Sequence, residues 1–161
     1  MPIRAITWVA FIASIGCTPP GSGPEGWRLD DGRPVADSDN GTLVVLAMDP
    51  AEVFTCAAVL AEWLEWRRVD PRRFRLVFTR APTPAEARRL RAVRLPLAGT
   101  LANGPRSGTP VEVVFRARRV VYADSGVALA GDSQLLARLR TRSLDDIVPG
   151  LATPSRNVSR R

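Results

Sequence analysis

Histidine is absent from the 161-residue chain. Lysine is absent too, so all 23 basic side chains are arginine, and there are only two cysteines and one tyrosine. Without histidine there is no Ser-His or Cys-His pair to activate a nucleophile and no His-containing zinc site, and two thiols are too few for a thiolate cage. No metal and no cofactor is expected. The arginine excess gives a formal net charge of +7, which invites a nucleic-acid reading. The arginines are scattered over several expected elements, however, rather than gathered on one face with aromatic stacking platforms. Arginine-only usage beside abundant Ala, Gly and Pro is also what GC-rich coding produces. A solvated basic surface with no nucleic-acid partner is therefore expected, and attraction to anionic envelope lipids or glycans is the alternative.

What is present is enough to fold. The chain is 45% apolar and 24% charged, which suits one globular domain with a real core. The N-terminus carries the clearest local signal. Arg4 is a minimal positive region, and Ala5 to Ile15 is an almost unbroken apolar run. That run falls short of the roughly 20 residues needed to cross about 30 Å of hydrocarbon as a helix, so it reads as an export signal. Its end, Ser14-Ile15-Gly16-Cys17, resembles the lipobox of bacterial lipoproteins, with Ser14 where that pattern usually has an aliphatic residue. The resemblance implies a signal peptide over 1–16 and a lipid on Cys17, which becomes the mature N-terminus and anchors the chain on the extracytoplasmic side of the envelope. An uncleaved anchor and simple secretion are the alternatives. Residues 18–26 are a Pro/Gly linker, and 17–41 is expected to be a flexible tether.

The domain is expected over 42–148. Leu43 to Met48 is a continuous apolar run, the pattern of a central strand covered on both faces. Asp49-Pro50-Ala51-Glu52 places an acceptor, a first-turn proline and a glutamate where a helix starts, and that helix is expected to reach about Arg68, with Val53, Cys56, Leu60, Trp63 and Leu64 on one stripe. Trp63 belongs to the core on this reading, and Trp66 either to its rim or to an exposed contact. Arg73 to Thr79 alternates as a second strand, and Thr83-Pro84-Ala85-Glu86 opens a shorter helix to about Val93. Residues 95–109 read as loop with a short turn. Val111 to Phe115 and Arg119 to Tyr122 form an antiparallel hairpin, Leu135 to Arg140 a last helix, and 149–161 a disordered tail.

This order resembles the thioredoxin-like superfamily, in particular its exported redoxin-type members. The resemblance rests on the strand Leu43 to Met48 leading into a helix with an early cysteine, on Gly108-Thr109-Pro110-Val111 entering the third strand, and on the return strand from Arg119. It implies an α/β fold of order β-α-β-α-β-β-α, a mixed four-stranded sheet with helices on both faces. It also implies a cis-proline at Thr109-Pro110 beside a groove that binds extended peptides or an envelope protein; the alternative is an ordinary trans proline entering an edge strand. The departure lies in the thiols. Where the family has C-x-x-C, this chain has Val53-Phe54-Thr55-Cys56, so one chain cannot both form and resolve a mixed disulfide. Two readings follow: a non-catalytic binding or scaffolding module, or a monothiol redox protein using Cys56 with an external reductant. Asp37 to Gly41 hints at a calcium loop, but the glycine is misplaced and no glutamate closes it.

Overall fold

The structure, a computed structural model, describes residues 23–37, 41–105, 110–125 and 134–151. Its sheet is built on β1 (Thr42–Met48), in which every residue is buried. β1 pairs in parallel with β2 (Phe74–Phe78) on one side and antiparallel with β4 (Val111–Arg116) on the other. Beyond β2 lies β3 (Leu97–Thr100), parallel to it, and beyond β4 lies β5 (Arg119–Ser125), antiparallel. The order β3-β2-β1-β4-β5 is a mixed α/β sheet of five strands, not four. The extra strand falls in the stretch expected to be loop. Leu97-Ala98-Gly99-Thr100 has little strand propensity of its own, and pairing with β2 decides its conformation.

The connection from β1 to β2 carries α1 (Glu52–Thr55) and α2 (Ala57–Val69), separated by a break at Cys56. α3 (Pro84–Leu90) follows β2, and α4 (Leu135–Leu139) and α5 (Leu144–Leu151) follow β5. Period-two alternation divides β1 between two cores. Val44, Leu46 and Met48 face one side with Val53, Leu60, Trp63, Trp66, Leu135 and Ile147 from the helices, and Leu90 at the end of α3 packs against the same cluster. Trp63 and Trp66 are both fully buried against Phe74, so both tryptophans are core.

Leu43, Val45 and Ala47 face the other side, where the cover among the described residues is not helical. It is the N-terminal segment, through Trp27, Leu29 and Val35, together with Leu101. The expectation of helices on both faces is therefore corrected, and so is that of a flexible tether running to residue 41. The segment folds back on itself, with Leu29 N–H donating to Arg33 O at 2.8 Å and Val35 N–H to Trp27 O at 3.1 Å. It is tied to the sheet by Asp30 N–H on Thr100 O and by Arg75, whose guanidinium donates to Val35 O and to the Asp37 carboxylate. A sheet with one apolar face left wet would not be stable, and three large apolar side chains close this one.

Two further details correct boundaries. α5 runs to Leu151, past the expected start of the tail at 149. Pro149 lacks the N–H that would bond the carbonyl of Asp145 four residues earlier, and Arg116 Nη2 donates to that carbonyl instead, at 2.8 Å. The β4–β5 hairpin turns through two residues, Ala117 and Arg118, both at positive φ (46° and 66°). That is the geometry such a turn demands, but it is usually met by Asn-Gly, and left-handed backbone costs an ordinary residue about 1–2 kcal/mol.

If the N-terminal segment is part of the core, Trp27→Ala should lower the unfolding free energy by roughly 3–5 kcal/mol, the usual loss for a large buried aromatic. Urea denaturation measures it. A loss below about 1 kcal/mol, within the range of surface substitutions, would mean that the segment is only loosely laid on the sheet.

Candidate functional site

The end of the sheet where β1 and β2 finish is the place to look, because the chain leaves β1 for β2 on one side and returns to β4 on the other. In α/β sheets the crevice outside the carboxyl ends of the strands at such a point is where ligands bind. β4 begins at this end. Ala47 pairs with Val111, so the register carries Pro110 opposite Met48, and Pro110 is buried there. Cys17 and Thr109 lie outside the described residues, as does the Thr109-Pro110 peptide bond on which the cis-proline expectation rests.

The local structure after β1 differs from a simple capped helix. Asp49 does not cap α1 directly. Its Oδ1 accepts the Ala51 N–H at 2.9 Å, its backbone O accepts Glu52 N–H, and α1 lasts only four residues before the chain breaks at Cys56 and restarts as α2. Cys56 thus precedes the first turn of α2, where a helix dipole can favour a thiolate. The surroundings oppose that. Sγ donates to Glu52 Oε2 at 3.2 Å, and burial together with the Glu52 carboxylate pushes the thiol pKa up. Cys56 is half-buried, and Val53, at the place of the resemblance's first cysteine, is 3% exposed. A nucleophile at position 53 would face the core.

The same end holds further acids. Glu112 of β4 is fully buried on the helix side of the sheet, between Leu46 of β1 and Asp124 of β5 in register. Tyr122 donates to Asp124 Oδ2 at 3.2 Å, and burial, Asp124 and Glu112 push its pKa up to about 12. Cys56 and Tyr122 are therefore both held in their protonated forms. Among the described residues no group of three or more His, Cys, Asp or Glu side chains is placed to hold a metal ion.

One ion network frames this end, and sequence reading missed it. Arg80, just past β2, forks onto both oxygens of Asp49 (2.9 and 2.7 Å) and both oxygens of Glu86 (2.8 and 2.7 Å). Glu86 Oε2 also accepts the N–H and hydroxyl of Thr83, while Thr83 Oγ1 accepts Glu86 N–H, completing the expected capping box of α3. The loops after β1 and β2 are thereby pinned to each other and to α3.

Comparison with protein-family models, curated proteins and solved structures finds no match. No family name follows.

The guanidinium of Arg80 and the bonds from Thr83 hold the Glu86 carboxyl down at about 2, against an ordinary 4.5. Because its folded value is depressed, its contribution to stability is complete above pH 4.5 and is lost as pH falls towards 2. Carbon-detected NMR of the side-chain carboxyl should place its midpoint near 2, and Arg80→Gln should return it towards the ordinary value. An unshifted midpoint in the wild type would remove the network from solution.

Proposed function

We propose that this chain is an exported lipoprotein, anchored through Cys17, whose thioredoxin-like domain binds an extended peptide or envelope protein at the Pro110 end of the sheet without redox turnover. The observation that carries the reading is the state of the thiol end. Its first-cysteine position is a buried valine, and its remaining thiol is a hydrogen-bond donor to Glu52 with a raised pKa. A dithiol enzyme needs the reverse, an exposed thiolate with a second sulfur to resolve it. The parallel pair β1–β2 beside the antiparallel hairpin supports the thioredoxin-like comparison. The fifth strand and the one-sided helices are departures from it. What remains at that end is a rim braced by Arg80, with a protonated thiol and phenol, next to a strand entered through the buried Pro110, a surface suited to backbone recognition.

The monothiol alternative requires a nucleophile at neutral pH. A thiol reagent should modify Cys56 in the folded chain much more slowly than in the unfolded chain near pH 7. Equal rates in the two states would favour monothiol chemistry over the binding module.

Lipidation is tested separately. Wild type should partition into detergent with an acylated residue 17 at its N-terminus, while Cys17→Ala should accumulate as an uncleaved or mislocalised precursor. A soluble mature chain beginning at another residue would reject the anchor.

A further inference from the structure

The described chain starts at Gly23, and its first turn, Pro24–Gly26, packs on the edge strand β5. A cleft of about 130 Å³ joins this entry to the tip of the β4–β5 hairpin, lined by Glu25, Trp27, Arg28, Pro34, Ala36 and Arg118 among others. Arg28 and Arg118 of its lining are exposed, and so are Arg116 and Arg119 on the strands that the hairpin joins. Arg28 donates to the backbone carbonyl of Gly32 (3.1 Å), and Arg116 to that of Asp145 (2.8 Å), whose carboxylate its charge also stabilises. At the tip, Arg118 occupies a left-handed position that glycine fills more easily, so charge stands where turn geometry disfavours it. The opposite end of the sheet carries Asp49, Glu52, Glu86, Glu112 and Asp124. Within that acid end Arg80 is paired with Asp49 and Glu86.

We propose that this arginine-lined edge docks on the anionic headgroups of the membrane that holds Cys17, turning the hairpin tip to the bilayer and the Pro110 end away from it. The inference rests on the lipid anchor of the preceding section. From Cys17 to Gly23 the chain advances six residues. Fully extended, six residues reach roughly 20 Å, so Gly23 and the edge beside it are confined to that distance from the lipid surface. Electrostatic attraction at physiological salt decays over about 8 Å, a range the tethered arginines enter repeatedly and freely diffusing protein seldom does. β1 spans seven residues, and at about 3.3 Å each the two ends of the sheet stand roughly 20 Å apart. Docking at one end therefore lifts the other clear of the headgroups. The occupant is a phospholipid surface, since the tether holds this edge beside one.

The test uses the full acylated chain in vesicles containing headgroup-quencher lipid, with a fluorophore on Ala117→Cys at the hairpin tip or on Ala85→Cys in α3, each in a Cys56→Ser background. In vesicles containing phosphatidylglycerol, quenching should be severalfold greater at 117 than at 85. The difference should shrink in phosphatidylcholine alone, in about 0.5 M salt, where the screening length is a few ångströms, and in the R28Q/R116Q/R118Q/R119Q variant. Equal quenching at both positions in anionic vesicles overturns the docking and leaves the anchor standing. A preference for 117 that survives salt and the fourfold variant overturns the electrostatic basis. An intact mass without the lipid overturns anchor and docking together.

Discussion

Everything else in the structure follows from a strand that cannot touch water on either side. β1 is buried at all seven positions, so it needs strand partners along both edges and an apolar cover over both faces. The edges are filled by β2 and β4. One face is filled by the helices, with Trp63, Trp66 and Phe74 as the bulk of the packing, and the other by Trp27, Leu29 and Val35, which arrive from outside the strand-helix repeat. Gly41 marks the join between that cover and the strand: its φ is +95°, and a Cβ there would collide with the guanidinium of Arg73.

The same demand shapes the candidate site. Because β1 is central, the residues set around its carboxyl end come from four separated parts of the chain. Arg80 holds the loops after β1 and β2 together through Asp49 and Glu86. Its four charge-assisted bonds are the strong, geometrically specific kind, and each partner is further fixed, Asp49 by the Ala51 N–H and Glu86 by Thr83. The end of the sheet is thus braced by ion pairs, with its thiol and phenol both shifted towards their protonated forms.

Much of this was legible in the residues and some was not, for physical reasons. The unbroken run Leu43 to Met48, the Thr83-Glu86 capping box and the two segments of the hairpin are local signals, and each sits where its pattern put it. β3 was invisible because an edge strand of Leu-Ala-Gly-Thr has no propensity apart from its partner. The N-terminal cover was hidden because Trp27, Leu29 and Val35 are interrupted by Arg28, Asp30, Asp31 and Arg33, and their common destination is tertiary. α5 carries Leu144, Ile147 and Val148 at helical spacing, but Pro149-Gly150 reads as a stop, and the rescue of the Asp145 carbonyl by Arg116 is a contact between residues 29 apart. At the site, Cys56 and Pro110 were visible as residue types. The Arg80 bridge was not, since nothing in a lone arginine after a strand names two carboxylates 31 residues back and 6 ahead.

On this packing the segment from Trp27 to Val35 and β1 form one cooperative unit. Native-state hydrogen exchange measures this directly. The Leu29, Asp30 and Val35 amides, bonded to Arg33, Thr100 and Trp27, should exchange with the same opening free energy and denaturant dependence as the amides of Val44 and Leu46. Exchange of those three amides by a low-energy local opening, while β1 stays protected up to global unfolding, would contradict it.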